Sequence, residues 1–142
     1  MRVEERPATH EESDALEIEE GTEVIAIERL RTANEKPVVY TVDVIPSVSP
    51  ELRTELHKLE GGGSLYDLLS DRTGLRVDHG VAALEPVAAT AALATALNVP
   101  RRTPLLCLRQ VDYAVGDQPA LYSLEYHVAG AFRFTVYRDG PR

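Results

Sequence analysis

Arg29 and Arg31 stand one residue apart in a segment, Glu23 to Thr32, that reads as a strand. At that spacing both side chains leave the same face. Two guanidinium forks on one face can grip a single anion, a phosphate or a carboxylate. The same pair on a solvated face would instead meet Glu28, Asp43 or another acid, and for an isolated Arg-x-Arg that is the simpler account. A second anion-compatible stretch is Gly61-Gly62-Gly63-Ser64, where Ser64 would cap a helix and backbone N–H groups could face a ligand. It lacks the lysine of a phosphate-binding loop and follows no parallel strand, so a flexible linker ending in a cap explains it from the local sequence. A third group is Ser123, Glu125 and His127, which share one face of the segment Ala120 to Val128 with Leu121. They either face water or line a pocket. No nucleophile elbow accompanies them, and successive residues on one strand face do not give triad geometry, so hydrolysis is not expected. Thr41 shares a face with Val39 and Asp43.

Metal chemistry finds little support. His10, His57, His79 and His127 show no ligand spacing, and Cys107 lies between Leu106 and Leu108 as a core residue would. No metal or cofactor is expected.

The elements that carry these residues come in two copies. Ala8 to Ile27 aligns without a gap to Ala89 to Leu108, matching Thr9 to Thr90, Leu16 to Leu97 and Ile27 to Leu108. One residue is then added, and Pro37 to Asp43 faces Pro119 to Glu125. Each copy reads as short helix, strand, turn, strand, with Met1 to Arg6 and Val81 to Pro86 as matching lead-in strands. Thr9 and Glu12 have the spacing of a capping box. Between the copies, Ser49-Pro50 opens a helix bearing Leu52, Leu56 and Leu59. Ser64 caps a second, Leu65 to Thr73, which Gly74 ends. A last strand is expected at Phe132 to Tyr137. The class is α+β: a central antiparallel sheet with helices packed on one side, built from two similar helix-hairpin halves in one domain, 1–142.

The formal charge of −8 over 142 residues argues against the chain gripping nucleic acid by itself. One cysteine excludes an intramolecular disulfide framework. No signal peptide, lipidation motif or long apolar run is present, which gives a cytoplasmic expectation and no membrane partner.

The combined pattern resembles the UTRA domain, the effector-binding module of HutC-subfamily GntR-type transcription regulators. The residues that carry the likeness are Leu16 to Val24 leading to Ile27-Glu28-Arg29-Leu30-Arg31, Lys36-Pro37-Val38 running to Ile45-Pro46, Gly63 to Leu69, Leu97-Asn98-Val99 to Leu106, and Gln118 to Ser123. The resemblance implies a chorismate-lyase-like fold, a homodimer, and a small anionic effector such as a sugar phosphate or carboxylate. It implies that Arg29, Arg31 and Ser64 hold the anionic group; the polar faces of the strands offer Thr41, Ser123, Glu125 and His127 as candidates for the rest of the ligand. Phosphosugar-responsive relatives carry glutamates at the positions of Thr41 and Leu121 and a tyrosine near His127. Their Arg-Gly-Asp is Val128-Ala129-Gly130 here, so the anion end is kept and the specificity end is not. The expected function is non-enzymatic effector binding in a bacterial regulator that reaches DNA only through a winged helix-turn-helix absent from this chain. The chain would be part of a longer regulator or a stand-alone sensor. The alternative is a chorismate-lyase-like enzyme acting on a small aromatic acid.

Overall fold

The doubling in the sequence is a doubling of structure. The computed structural model describes all residues except Ser49, Gly62, Phe132 and Arg142, together with the side chain of Pro50. Expectations that fall on Ser49, Gly62 and Phe132 lie outside the described residues. In chain order the elements are β1 (Arg2–Pro7), α1 (His10–Leu16), β2 (Glu23–Ala33), β3 (Lys36–Pro46), α2 (Pro50–His57), a 3-10 turn (Lys58–Gly61), α3 (Leu65–Thr73), β4 (Val77–Ala88), α4 (Ala91–Leu97), β5 (Pro104–Ala114) and β6 (Gln118–Val128). Adding 81 (91 − 10) carries α1 onto α4 and β2 onto β5; adding 82 (118 − 36) carries β3 onto β6.

The added residue sits in the turn. β2 and β3 are joined through Asn34 and Glu35, both at positive φ, the two-residue hairpin that matches strand twist. β5 and β6 are joined through Val115, Gly116 and Asp117, with Gly116 at φ 87° and Asp117 at φ 58°.

All six strands form one antiparallel sheet in the order β1-β2-β3-β6-β5-β4. β3 and β6 meet at its centre, with Thr41 opposite Glu125, Val42 opposite Leu124 and Asp43 opposite Ser123. The sheet therefore has a local twofold axis at Val42 and Leu124.

Both first helices start and stop alike. Thr9 and Thr90 accept from the backbone N–H of Glu12 and Leu93, and Glu17 and Asn98 end the helices in the left-handed conformation. Only α1 closes a full capping box, and its Glu12 is also gripped by Arg6 at 2.8 and 2.7 Å. Burial alone would raise the Glu12 carboxyl; the hydrogen bonds from Arg6 and Thr9 outweigh it and hold the group below its ordinary range. Thr9→Ala is expected to cost about 1 kcal/mol of stability, read as a lower urea midpoint at unchanged slope.

Helices cover both faces of the sheet, not one. On one face Leu16 of α1 packs on Val24, Val44 and Tyr122, and Leu97 of α4 packs on Leu105 beside Tyr40 and Tyr126. On the other, Leu52 and Leu56 of α2 and Leu65 and Leu69 of α3 cover Ile25, Ile27, Ile45 and Leu121. The reason is the unbroken apolar run Val24-Ile25-Ala26-Ile27, which gives β2 two faces to bury.

Of the strand expected at Phe132 to Tyr137, the described residues form none: residues 133–141 carry no regular structure, and Tyr137 is 88% exposed. β6 is flanked by β3 and β5, so a following segment has no open edge beside it. The open edges belong to β1 and β4. β4 is exposed along most of its length, with Val81 at 62% and Leu84 at 52%.

Candidate functional site

Along the face covered by α2 and α3, the sheet changes character. Ile25, Ile27 and Ile45 are apolar and buried. Further along the same strand faces come Arg29 and Arg31 on β2, Thr41 and Asp43 on β3, and Ser123 and Glu125 on β6. With Gln110 of β5 they floor a cavity of about 330 Å³, roofed by Leu65 and Tyr66 at the start of α3.

The cavity straddles the local twofold axis. Equivalent positions in the two copies face each other across it: Thr41 and Ser123, Asp43 and Glu125, Arg29 and Gln110. The position equivalent to Arg31 is Asp112, two residues from Gln110 on β5. The two halves of the sheet thus bring unlike chemistry to like places.

Two buried carboxylates organise the floor. Asp43, 4% exposed, accepts from Arg29 Nη2 at 2.7 Å and from Ser123 Oγ at 2.6 Å. A buried charge needs a partner and further hydrogen bonds, and here it has both. Asp112, 3% exposed, accepts from Gln110 Nε2 at 2.7 Å and from the Tyr66 hydroxyl at 3.0 Å. Burial of the Tyr66 hydroxyl, its hydrogen bond to Asp112 and the charges of Asp112, Asp43 and Glu125 push its pKa up to about 12. Gly80 of β4 lies against this pair. A Cβ there would collide with Asp112 Oδ1 and stand 3.0 Å from Gln110 Nε2, so a larger residue would have to displace the ends of both side chains.

Five of the seven residues singled out from the sequence line this one cavity: Arg29, Arg31, Thr41, Ser123 and Glu125. Ser64 is not among the lining residues and directly precedes Leu65, which is. Its hydroxyl accepts from Asp67 N–H at 3.3 Å as the cap of α3, and its neighbours Leu65 and Tyr66 form the roof. Asp67 in the first turn already complements the positive end of that helix. His127 lies outside the lining. Its ring meets Phe134 edge-on at 4.9 Å, and its Nε2 is 3.7 Å from Glu125 Oε2. In the sequence Asp43 stands out only as a partner for the arginines, and nothing local marks Tyr66, Gln110 or Asp112. The repeat held the signal for two of them, since Gln110 and Asp112 are the counterparts of Arg29 and Arg31.

A larger cavity, about 540 Å³, lies at the other end of the sheet between Leu16, Ile45, Leu69 and Pro119. Its walls are mainly aliphatic, with Glu17 and Asp117 among the few charged side chains, and no set of polar groups converges there. Convergent charged groups single out the smaller cavity as the candidate.

Comparison with known proteins agrees with this architecture. The family model of the UTRA domain matches residues 1–133. The Probable transcriptional regulator PhnF of Escherichia coli (strain K12) is 30% identical over 132 residues, 92% of this chain and 54% of that protein. The chain therefore spans about half the length of the curated relative it matches. Among solved structures, the PhnF C-terminal domain superposes with a TM-score of 0.81 at 28% identity, covering 97% of this chain and 86% of that one. A structure from Bordetella bronchiseptica, described as the ligand-binding domain of a GntR-family transcriptional regulator, has a TM-score of 0.87 at 24% identity over 98% and 89% of the two chains. That likeness shows the fold, the chorismate-lyase-like α+β arrangement.

Proposed function

The chain belongs to the UTRA domain family, and from that premise we propose that it is the effector-binding and dimerisation part of a bacterial GntR-type transcription regulator of the HutC branch. Residues 1–142 act as one ligand-binding domain. The domain senses a small anionic metabolite in the cytoplasm and catalyses no reaction. DNA is reached through a winged helix-turn-helix outside this sequence.

The observation that carries the reading is the central cavity. Two arginines face it, and among the described residues Arg31 makes no hydrogen bond or ion pair, so its fork is available to an incoming anion. The dimer reading draws on β4, an open edge strand with exposed Val81 and Leu84 that a second copy would cover. Effector binding would act by linkage. A ligand that prefers one arrangement of the dimer shifts the attached DNA-binding heads, for which a coupling of about 1–3 kcal/mol suffices.

A thermal-shift screen of sugar phosphates and organic acids tests this. A true effector at roughly 100 times its dissociation constant stabilises by about 2.7 kcal/mol. Arg31→Ala is expected to weaken that effector about ten- to hundredfold, the worth of a charge-assisted hydrogen bond, without lowering the melting temperature of the free protein. Unchanged affinity would make the anion-site assignment wrong, and 4-hydroxybenzoate formed from added chorismate would sink the non-enzymatic reading.

A further inference from the structure

We propose that the central cavity is built for a compact zwitterion, an anionic group and an ammonium on one small framework, and not for a simple anion. The inference rests on reading that cavity as the effector site.

The local twofold axis makes the charge pattern plain. The first copy brings Arg29 and Arg31 to the cavity, and the second brings Gln110 and Asp112 to the matching places. Internal hydrogen bonding then occupies most of the charged groups, and one ion pair, Arg29 with Asp43, cancels its own charge. Arg29 is held by Asp43, whose other oxygen is held by Ser123. Asp112 keeps its charge, but its oxygens accept from the neutral Gln110 and Tyr66, and it is buried behind the cavity lining. Two groups remain with charge to offer a ligand. One is Arg31. The other is Glu125, whose side chain is 32% exposed and stands 3.7 Å from His127 Nε2, beyond hydrogen-bond distance.

These two lie on opposite sides of the cavity. Arg31 on β2 pairs with Val39 and Glu125 on β6 pairs with Thr41, so β3 lies between them and they are offset by two residues along the strands, which puts their backbones about 12 Å apart. A simple anion on Arg31 would share a small cavity with the carboxylates of Asp43 and Glu125 and would leave Glu125 unanswered. A zwitterion answers both ends at once: its anionic group lies on Arg31 and its ammonium donates to Glu125. The anionic group is a carboxylate or a phosphate, since both offer the acceptor oxygens that a guanidinium fork takes.

Calorimetry on the whole chain with matched probes tests this. The zwitterions are β-alanine, γ-aminobutyrate, δ-aminovalerate and ethanolamine phosphate. Their partners lacking the ammonium are propionate, butyrate, valerate and ethyl phosphate. At least one zwitterion is expected to bind tenfold or more tightly than its partner. Glu125→Gln, which keeps the shape and removes the charge, is expected to erase that preference, and Arg31→Ala to weaken the zwitterion itself. Partners that bind as tightly as their zwitterions, or failure of every zwitterion to bind, would overturn the inference. In the first case, loss of both on Arg31→Ala would leave the anion-site reading standing. Binding that ignores Arg31→Ala would overturn that reading and the inference with it.

Discussion

Arg29→Ala is expected to lower the unfolding free energy by about 2–3 kcal/mol, more than an arginine that is 28% exposed would ordinarily cost. The loss comes from its partner. Asp43 is buried, and among the described residues Arg29 is its one ion-pair partner, at 2.7 Å. Removing the arginine leaves a carboxylate under the roof of α3 with the Ser123 hydroxyl as its remaining hydrogen bond among the described residues. Solvent reaches Arg29, which is why the estimate stays below the full penalty for breaking a deeply buried pair. Asp43→Asn in the same chain should recover a large part of the loss, because the stranded charge is then gone. Urea unfolding of the two single variants and the double variant closes a cycle whose interaction energy is the quantity of interest. A purely additive cycle would mean that the pair contributes nothing and that Arg29 is free to serve a ligand. Arg31→Ala lacks this complication and is therefore the cleaner probe of binding.

Leu56→Ala is expected to cost about 2–5 kcal/mol, the range for emptying a buried leucine site. Leu56 is fully buried in the cluster that joins α2 to Ile25, Ile27, Leu65 and Leu69. In a domain of this size that lowers the melting temperature by roughly 2–4 °C per kcal/mol. A second effect separates it from any other core leucine. Leu65 is both a member of that cluster and part of the cavity roof, so a cavity at Leu56 loosens the roof. Ligand affinity should fall although Leu56 touches no ligand. Leu97→Ala is the control. It is 1% exposed and sits under α4 on the opposite face, so it should cost comparable stability and leave affinity intact. Equal affinity losses in both variants would show that the roof has no special part in binding.

The elements were legible because each left a local mark. Thr9 with Glu12, Ser64, Gly74 and the alternation of β6 are signals that a few residues carry alone. The repeat supplied more: the matched blocks placed β2, β3, β5 and β6 and even located the extra residue. The layering was harder. Whether α2 and α3 share a face with α1 and α4 depends on long-range packing, and the clue, the run Val24 to Ile27, is short. Phe132 to Tyr137 has strand-like alternation but no free edge to pair with, which is a fact about the sheet and not about the segment. In the site, Arg29 and Arg31 stood out because arginines at that spacing are conspicuous. Asp43 did not, since its importance lies in what it touches across the sheet. Gly80 could be recognised only once Asp112 was seen against it.

The seam at Val42 and Leu124 has a consequence for how the molecule is made. The two hairpins, β2 with β3 and β5 with β6, join neighbouring segments through turns of two and three residues, and such contacts close quickly. The pairing of Val39 with His127 spans 88 positions (127 − 39), and contacts of that separation are the slow ones. Every polar residue of the cavity floor lies on one side of that seam or the other. A nascent chain therefore holds two half-cavities and no whole one until the last strand has emerged and the halves have met. The ability to bind ligand is then a late event in folding, and a bound effector is a certificate that the whole sheet has closed.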